Sequence, residues 1–277
     1  MQLMDVMIYA ANAGDRNERG MLGALSLGAE IAHRLDAEAR TIGSPVAIVE
    51  GGWVDQLKAA TPTLRLLARR VAEQLGDSGS FILTMGRCAA GIATLPPVAS
   101  RYPDAAIVWF DAHGDCNVPT EDGAMRYLGG MVISGAAGEW DTGFGHGVDL
   151  ANVILVGARD LDPPELERID AGQIGLVPVG PDLGRRLARA IRGRRVYVHL
   201  DCDVLDAGLL ATEYQSPNGL SYADLREAFE ILAEHDVLGL EIAEYEASWP
   251  DGRPNPPDRL IDAISPVAEA IRSRWNS

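Results

Sequence analysis

Three residues able to hold a divalent cation occupy alternate positions in Asp111-Ala-His-Gly-Asp115: Asp111, His113 and Asp115. The apolar run 105–110 before them reads as a buried strand. In an extended chain alternate side chains share a face, so the three can converge on one point. A second stretch repeats the arrangement. Residues 196–200 read as a strand, Asp201 and Asp203 follow it, and Asp206 comes three residues on. A lone carboxylate at a strand end ordinarily caps a helix or holds a turn. Five carboxylates and one imidazole in two such clusters need cations to neutralise them. Hard oxygen donors at two strand ends therefore point to a site for more than one divalent ion, of the kind that makes hydroxide available from water near neutral pH.

The elements that must position these groups follow from hydrophobic periodicity. Strands are predicted at 6–10, 45–50, 80–85, 105–110, 152–156, 175–179, 195–200 and 237–243. Helices are predicted at 21–35, 54–75, 127–137, 163–171, 183–191, 221–235 and 259–272, with another after the tight turn 86–91. Ser221 reads as an N-cap, and 115–126 as a loop. Strand and helix alternate throughout, which predicts a parallel sheet covered on both faces with ligands at the carboxyl ends of its strands. No linker or repeat divides the chain, so a single domain over 1–277 is expected.

Composition narrows the partners. The chain has 277 residues, 47% of them hydrophobic, and a formal charge of -16. Such an acidic surface argues against nucleic acid and anionic membranes and suits a cationic small molecule. No signal peptide is recognised, and no apolar run reaches the ~18 residues of a membrane span. Three cysteines, an odd number, in a chain this long fit a reducing cytoplasm.

From about Thr84 to Glu246 the chain resembles the ureohydrolase (arginase/agmatinase) superfamily, whose signatures Asp-Ala-His-x-Asp and Ser-x-Asp-x-Asp-x-x-Asp-Pro match the two clusters. The resemblance implies an α/β fold, three-layer α/β/α with a mostly parallel, about eight-stranded sheet. It implies two Mn²⁺ ions and hydrolysis of a guanidino group. Asp111 and Asp201 would bridge the ions, Asp115 would bind one, and His113 with Asp203 the other; Asp206 would be structural. Asp115 would also aim and shuttle the proton, and Glu244 would pair with the guanidinium, with Glu246 as the rival and Glu241 in support. Asn117, Asp162 and Glu165 resemble the contacts that arginases make to the substrate's α-carboxylate and α-amino group. Asp162 and Glu165 read equally as the start of a helix. The resemblance also leaves room for a homo-oligomer.

The departures bear on substrate. Where the family's third motif, Gly-Gly-Asp-His-Ser, supplies a His ligand, this chain has Cys88. It is either a softer thiolate ligand, favouring Fe²⁺, Co²⁺ or Zn²⁺ relative to Mn²⁺, or a small buried residue. Gly129 stands where the family has its catalytic His, which should open space beside the guanidino end; His146 could move in from a loop. Alternation turns Cys202 away from the ligands, and Cys116 is undecided. A Cys in that ligand position resembles the amidinohydrolases that cleave Nω-hydroxy-L-arginine in D-cycloserine biosynthesis. The expected reaction is therefore Nω-hydroxy-L-arginine and water to L-ornithine and hydroxyurea. An ordinary arginase or other guanidino-acid ureohydrolase is the alternative, and a catalytically inactive metal-binding relative is a further one.

Overall fold

A computed structural model describes residues 4–77, 80–119 and 127–275. Among these the strands are β1 (Asp5–Tyr9), β2 (Glu38–Ile42), β3 (Ile82–Met85), β4 (Ala106–Phe110), β5 (Val153–Val156), β6 (Gly175–Val177), β7 (Val196–Asp201) and β8 (Val237–Ala243). They form one eight-stranded sheet in the order β2-β1-β3-β8-β7-β4-β5-β6. Every neighbouring pair is parallel. The helices are α1 (Arg19–Leu35), α2 (Trp53–Asp77), α3 (Gly91–Arg101), α4 (Val132–Ala137), α5 (Pro163–Asp170), α6 (Leu183–Ile191), α7 (Tyr222–Ala233) and α8 (Asp258–Trp275).

Alternation along the central strands divides the core in two. Val108, Phe110, Val198, Leu200, Leu240 and Ile242 pack with α1, α6, α7 and α8 on one face. Ile107, Trp109, Tyr197 and Leu83 pack with α2 and α3 on the other. The three layers expected of an α/β fold are therefore present. Ser221 caps α7 as expected, its hydroxyl accepting from Asp224 N at 3.1 Å.

The second strand is a correction. Residues 45–50 form no strand, and Val46 is 49% exposed. β2 lies instead at Glu38–Ile42, a polar sequence whose Arg40 pairs with Asp5 at 2.9 Å. It is an edge strand, and edges carry charge, so hydrophobicity misplaces them. Of the loop expected at 115–126, residues 120–126 lie outside the described residues.

The sheet order matters for function. β3, β8, β7 and β4 are consecutive neighbours at its centre. The segments following their carboxyl ends carry Cys88, Glu244, Asp201 with Asp203, and Asp111 with His113 and Asp115. Residues far apart in sequence thus meet because parallel strands all end on the same edge.

Candidate metal centre

Asp111 and Asp201 leave adjacent strands side by side, since Phe110 pairs with Leu200 in the β4–β7 register. Asp201 Oδ1 accepts from Asp203 N at 2.7 Å, which folds the chain back and brings Asp203 over the site. Asp203 Oδ1 accepts from Ala112 N at 3.1 Å, stitching the two clusters together. His113 Nδ1 lies 3.1 Å from Asp111 Oδ1 and 3.2 Å from Asp203 Oδ2. A single N–H serves one of them, and Asp203 Oδ2 is left buried without a hydrogen bond.

Asp111 and His113 meet at 3.1 Å, and Asp115 lines the same pocket as His113, but strand alternation is not the cause. β4 ends at Phe110, and Asp115 has φ 48°, a left-handed conformation that turns it inward. Glu244 shares that conformation, with φ 63°. Such backbone costs on the order of 1–3 kcal/mol and gathers at functional sites. Gly114 is required between the ligands: a Cβ there would come within 2.6 Å of the Glu165 carboxyl carbon.

The charges press on one another. Burial and the neighbouring Asp111 push the Asp115 carboxyl well up, and burial with Asp203 and Asp111 does the same to Asp201. Asp203 is pushed up to about 6, by burial and then by Asp111. Burial opposes the charge on His113, but the adjacent Asp111 and Asp203 carboxylates outweigh it and push it up to about 12. A proton on His113 thus does electrostatically what a cation would do there. Asp115 Oδ2, like Asp203 Oδ2, is buried without a hydrogen bond. Three sets of donor atoms lie within 4.8 Å of one another: Asp111, His113 and Asp203; Cys88, Asp201 and Glu244; and Cys88, Asp111 and His199. Orphaned buried carboxylate oxygens and such donor sets fit a pair of divalent ions.

Cys88 sits on a one-turn helix after β3, and its thiol donates to Asp201 Oδ2 at 2.9 Å. Burial and the surrounding acids push that thiol well up, so the sulfur takes its thiolate form only with a cation beside it. Beneath it is a column that sequence reading missed. Cys88 Sγ is 3.1 Å from His199 Nε2, and His199 Nδ1 is 2.7 Å from Glu241 Oε1. Glu241 Oε2 also accepts from the hydroxyls of Tyr197, at 2.5 Å, and Thr94, at 2.7 Å. The imidazole stacks on Trp109 at 3.4 Å, and the indole N–H donates to Asp111 Oδ2 at 3.0 Å. Period-2 spacing from Asp201 could have found His199, which shares its face of β7.

Arg87 was missed as well. It is fully buried, and its guanidinium meets Asp15 at 3.3 Å, Glu213 at 2.8 Å and Glu246 at 3.1 Å, and pairs closely with Glu244. Glu244 also accepts from Cys88 N at 3.4 Å and Tyr127 Oη at 3.1 Å. Of the two rival acids, Glu244 faces the pocket, whereas Glu246 is held away by Arg19 at 2.7 Å and Asn17 at 2.8 Å.

The pocket over these groups measures ≈ 270 Å³. Asn117 Nδ2 donates to Asp162 Oδ2 at 2.9 Å, so those two line it as a pair. Glu165 is spent on backbone, accepting from Asp162 N at 3.0 Å and Cys116 N at 3.2 Å as α5 begins. The space expected beside Gly129 is filled: a Cβ there would meet the Tyr127 ring at 2.5 Å. His146 lies exposed against Gly138 and does not line the pocket. Cys202 is buried in the apolar core, as alternation requires, and Cys116 is buried 3.8 Å from Glu165 Oε1. Asp206, 3.1 Å from Gly219 N, holds a turn.

Comparison with known proteins places these features. The family model described as "Arginase family" matches residues 28–251. The chain is 31% identical over 273 residues to a Streptomyces lavendulae protein named N(omega)-hydroxy-L-arginine amidinohydrolase, covering 98% of this chain and 100% of that one. It is 28% identical over 207 residues to an arginase of Bacillus caldovelox, covering 66% of each. The fold matches the crystal structure of arginase from Bacillus subtilis with a TM-score of 0.76 at 19% identity, covering 100% of this chain and 99% of that one.

Proposed function

This chain belongs to the arginase family and is an amidinohydrolase, and we propose that its reaction is Nω-hydroxy-L-arginine and water to L-ornithine and hydroxyurea. One observation carries the hydrolytic reading: four neighbouring strand ends bring Cys88, Glu244, Asp201 with Asp203, and His113 with Asp115 to one pocket, with Asp111 in contact with His113, and two buried carboxylate oxygens there have no hydrogen bond. Asp111, Asp201, Asp115, His113, Asp203 and Cys88 would hold two divalent ions, Mn²⁺ by family resemblance. A thiolate among the ligands would tolerate Fe²⁺, Co²⁺ or Zn²⁺ as well. Bound there, such ions would supply hydroxide from water near neutral pH.

The residues of the chain do the rest. Asp115, held inward by its backbone, receives the proton of the attacking water and passes it to the leaving δ-nitrogen as the C–N bond breaks. Glu244 accepts an N–H or O–H of the head group, while Tyr127 fixes that carboxylate from the side. Asp162 and Asn117 form the polar end of the pocket toward the α-amino group.

The substrate choice is supported by the full-length similarity to the Streptomyces lavendulae protein. An N-hydroxyguanidine is less basic than a guanidine and is more often neutral at pH 7, which leaves more of it open to attack. Steady-state kinetics on the protein reconstituted with Mn²⁺ tests the assignment. The expected result is a higher kcat/KM for Nω-hydroxy-L-arginine than for L-arginine, and the reverse order rejects it.

A further inference from the structure

The pocket poses a problem for an amino-acid substrate. Among the described residues thirteen line it, of which seven are Asp or Glu and none is Lys or Arg. An α-carboxylate entering that field needs a cation or a set of free donors. Asn117, the contact suggested by resemblance, gives one N–H of its side-chain amide to Asp162 and keeps one, fewer than a carboxylate's two oxygens need. Its backbone amide is given to Gly130 O at 3.0 Å, and its carbonyl accepts from Ser134.

The cation stands at the rim. Arg16 lies on the segment between β1 and α1, with its side chain 47% exposed. Its Cζ is 4.6 Å from the centre of the Tyr127 ring and 5.9 Å from that of Tyr214. Its Nη1 donates to Tyr214 Oη at 2.6 Å. Both tyrosines line the pocket. They connect Arg16 to its floor: Tyr214 stands edge-on to His113 with ring centres 5.4 Å apart, and Tyr127 reaches Glu244. Among the described residues the acid paired with Arg16 is Glu213, at 3.9 Å, and Glu213 is engaged by Arg87 at 2.8 Å.

We propose that Arg16 is the carboxylate anchor of this pocket, the residue that selects an α-amino acid over its decarboxylated amine; the proposal rests on the amino-acid substrate reading above. A guanidinium lying on an aromatic face keeps its edge for in-plane hydrogen bonds, the geometry in which Arg grips a carboxylate. The reach fits. From guanidino carbon to carboxylate carbon an extended arginine crosses six bonds, about 7 Å at ordinary bond lengths. That takes the carboxylate from the floor at Glu244 and His113 past the tyrosines to the rim. The tyrosines hold the guanidinium in place before the ligand arrives, which reduces the ordering cost of binding.

The test uses the full chain reconstituted with Mn²⁺. Calorimetry measures L-ornithine and putrescine, which differ by the carboxylate alone, on the wild type and on Arg16→Ala. The expected result is an affinity for L-ornithine lowered about tenfold or more, the factor of one charge-assisted hydrogen bond, with putrescine binding unchanged. In turnover, the same variant should raise KM for Nω-hydroxy-L-arginine and leave KM for N-hydroxyagmatine unaltered. Arg16 is exposed, so its replacement leaves the fold standing. Equal losses for both members of a pair, or no loss for L-ornithine, overturn the proposal. Absence of turnover with every hydroxyguanidine would overturn the reaction instead, and the ornithine–putrescine comparison would still decide the role of Arg16.

Discussion

The sulfur of Cys88 lies 3.1 Å from His199 Nε2, on an imidazole whose other nitrogen is clamped by Glu241 at 2.7 Å. The ring is also stacked flat on Trp109. Partners that orient a metal ligand typically account for 10–100-fold in metal affinity. His199→Gln should therefore weaken metal binding by about that factor, with the larger effect on whichever ion touches the sulfur. A Mn²⁺ titration followed by electron paramagnetic resonance reads the change. Wild-type affinity in the variant would mean that the ring only fills space.

Asp115 has no hydrogen bond at Oδ2, faces the pocket, and is held there by left-handed backbone. Asp115→Ala removes one charge from a crowded cluster, so the fold should survive. Loss of a general base typically costs ~10² or more in rate. A variant that keeps more than about a tenth of wild-type kcat would show that another group moves the proton.

Arg87 is a buried cation shared by Asp15, Glu213, Glu244 and Glu246. Arg87→Met keeps most of the volume and removes the charge. Removing one partner of a buried ion pair costs about 3–5 kcal/mol, and urea denaturation should report a loss of that size. A loss below about 1 kcal/mol would mean that the four acids are neutral or hydrated without Arg87.

Stability of the metal-free protein should fall as pH rises. Asp203 and Asp15 are pushed up to about 6, from an ordinary carboxylate value near 4, by burial first in each case. The folded form therefore binds more protons than the unfolded form between those values, and its stability declines through that window. His113, pushed up to about 12, acts in the same direction above its ordinary value. Melting of the chelator-treated protein should occur at a higher temperature at pH 5 than at pH 7.5, and Mn²⁺ should remove the deficit at pH 7.5. A metal-free protein more stable at pH 7.5 would contradict these shifts.

The fold and the candidate ligands were legible for different reasons. Strands such as 105–110 and 237–243 are buried on both faces and read as apolar runs. β2 is an exposed edge, so its polar residues 38–42 hid it while the apolar 45–50 misled. Asp111, His113, Asp115, Asp201 and Asp203 could be picked out because each follows a strand. Arg87 could not, since nothing local announces that Asp15, Glu213, Glu244 and Glu246 will surround it from three distant segments. Gly129 suggested a gap, but the space went to Tyr127, two residues earlier, by a turn that spacing does not encode.

Anomalous X-ray diffraction from crystals soaked in Mn²⁺ tests the central claim most directly, since it counts and places the ions at once. The site predicts two manganese peaks per chain, both in contact with Asp111 and Asp201 and one of them within bonding distance of Cys88. Fewer than one ion per chain, or peaks away from the carboxyl ends of β4 and β7, would contradict it.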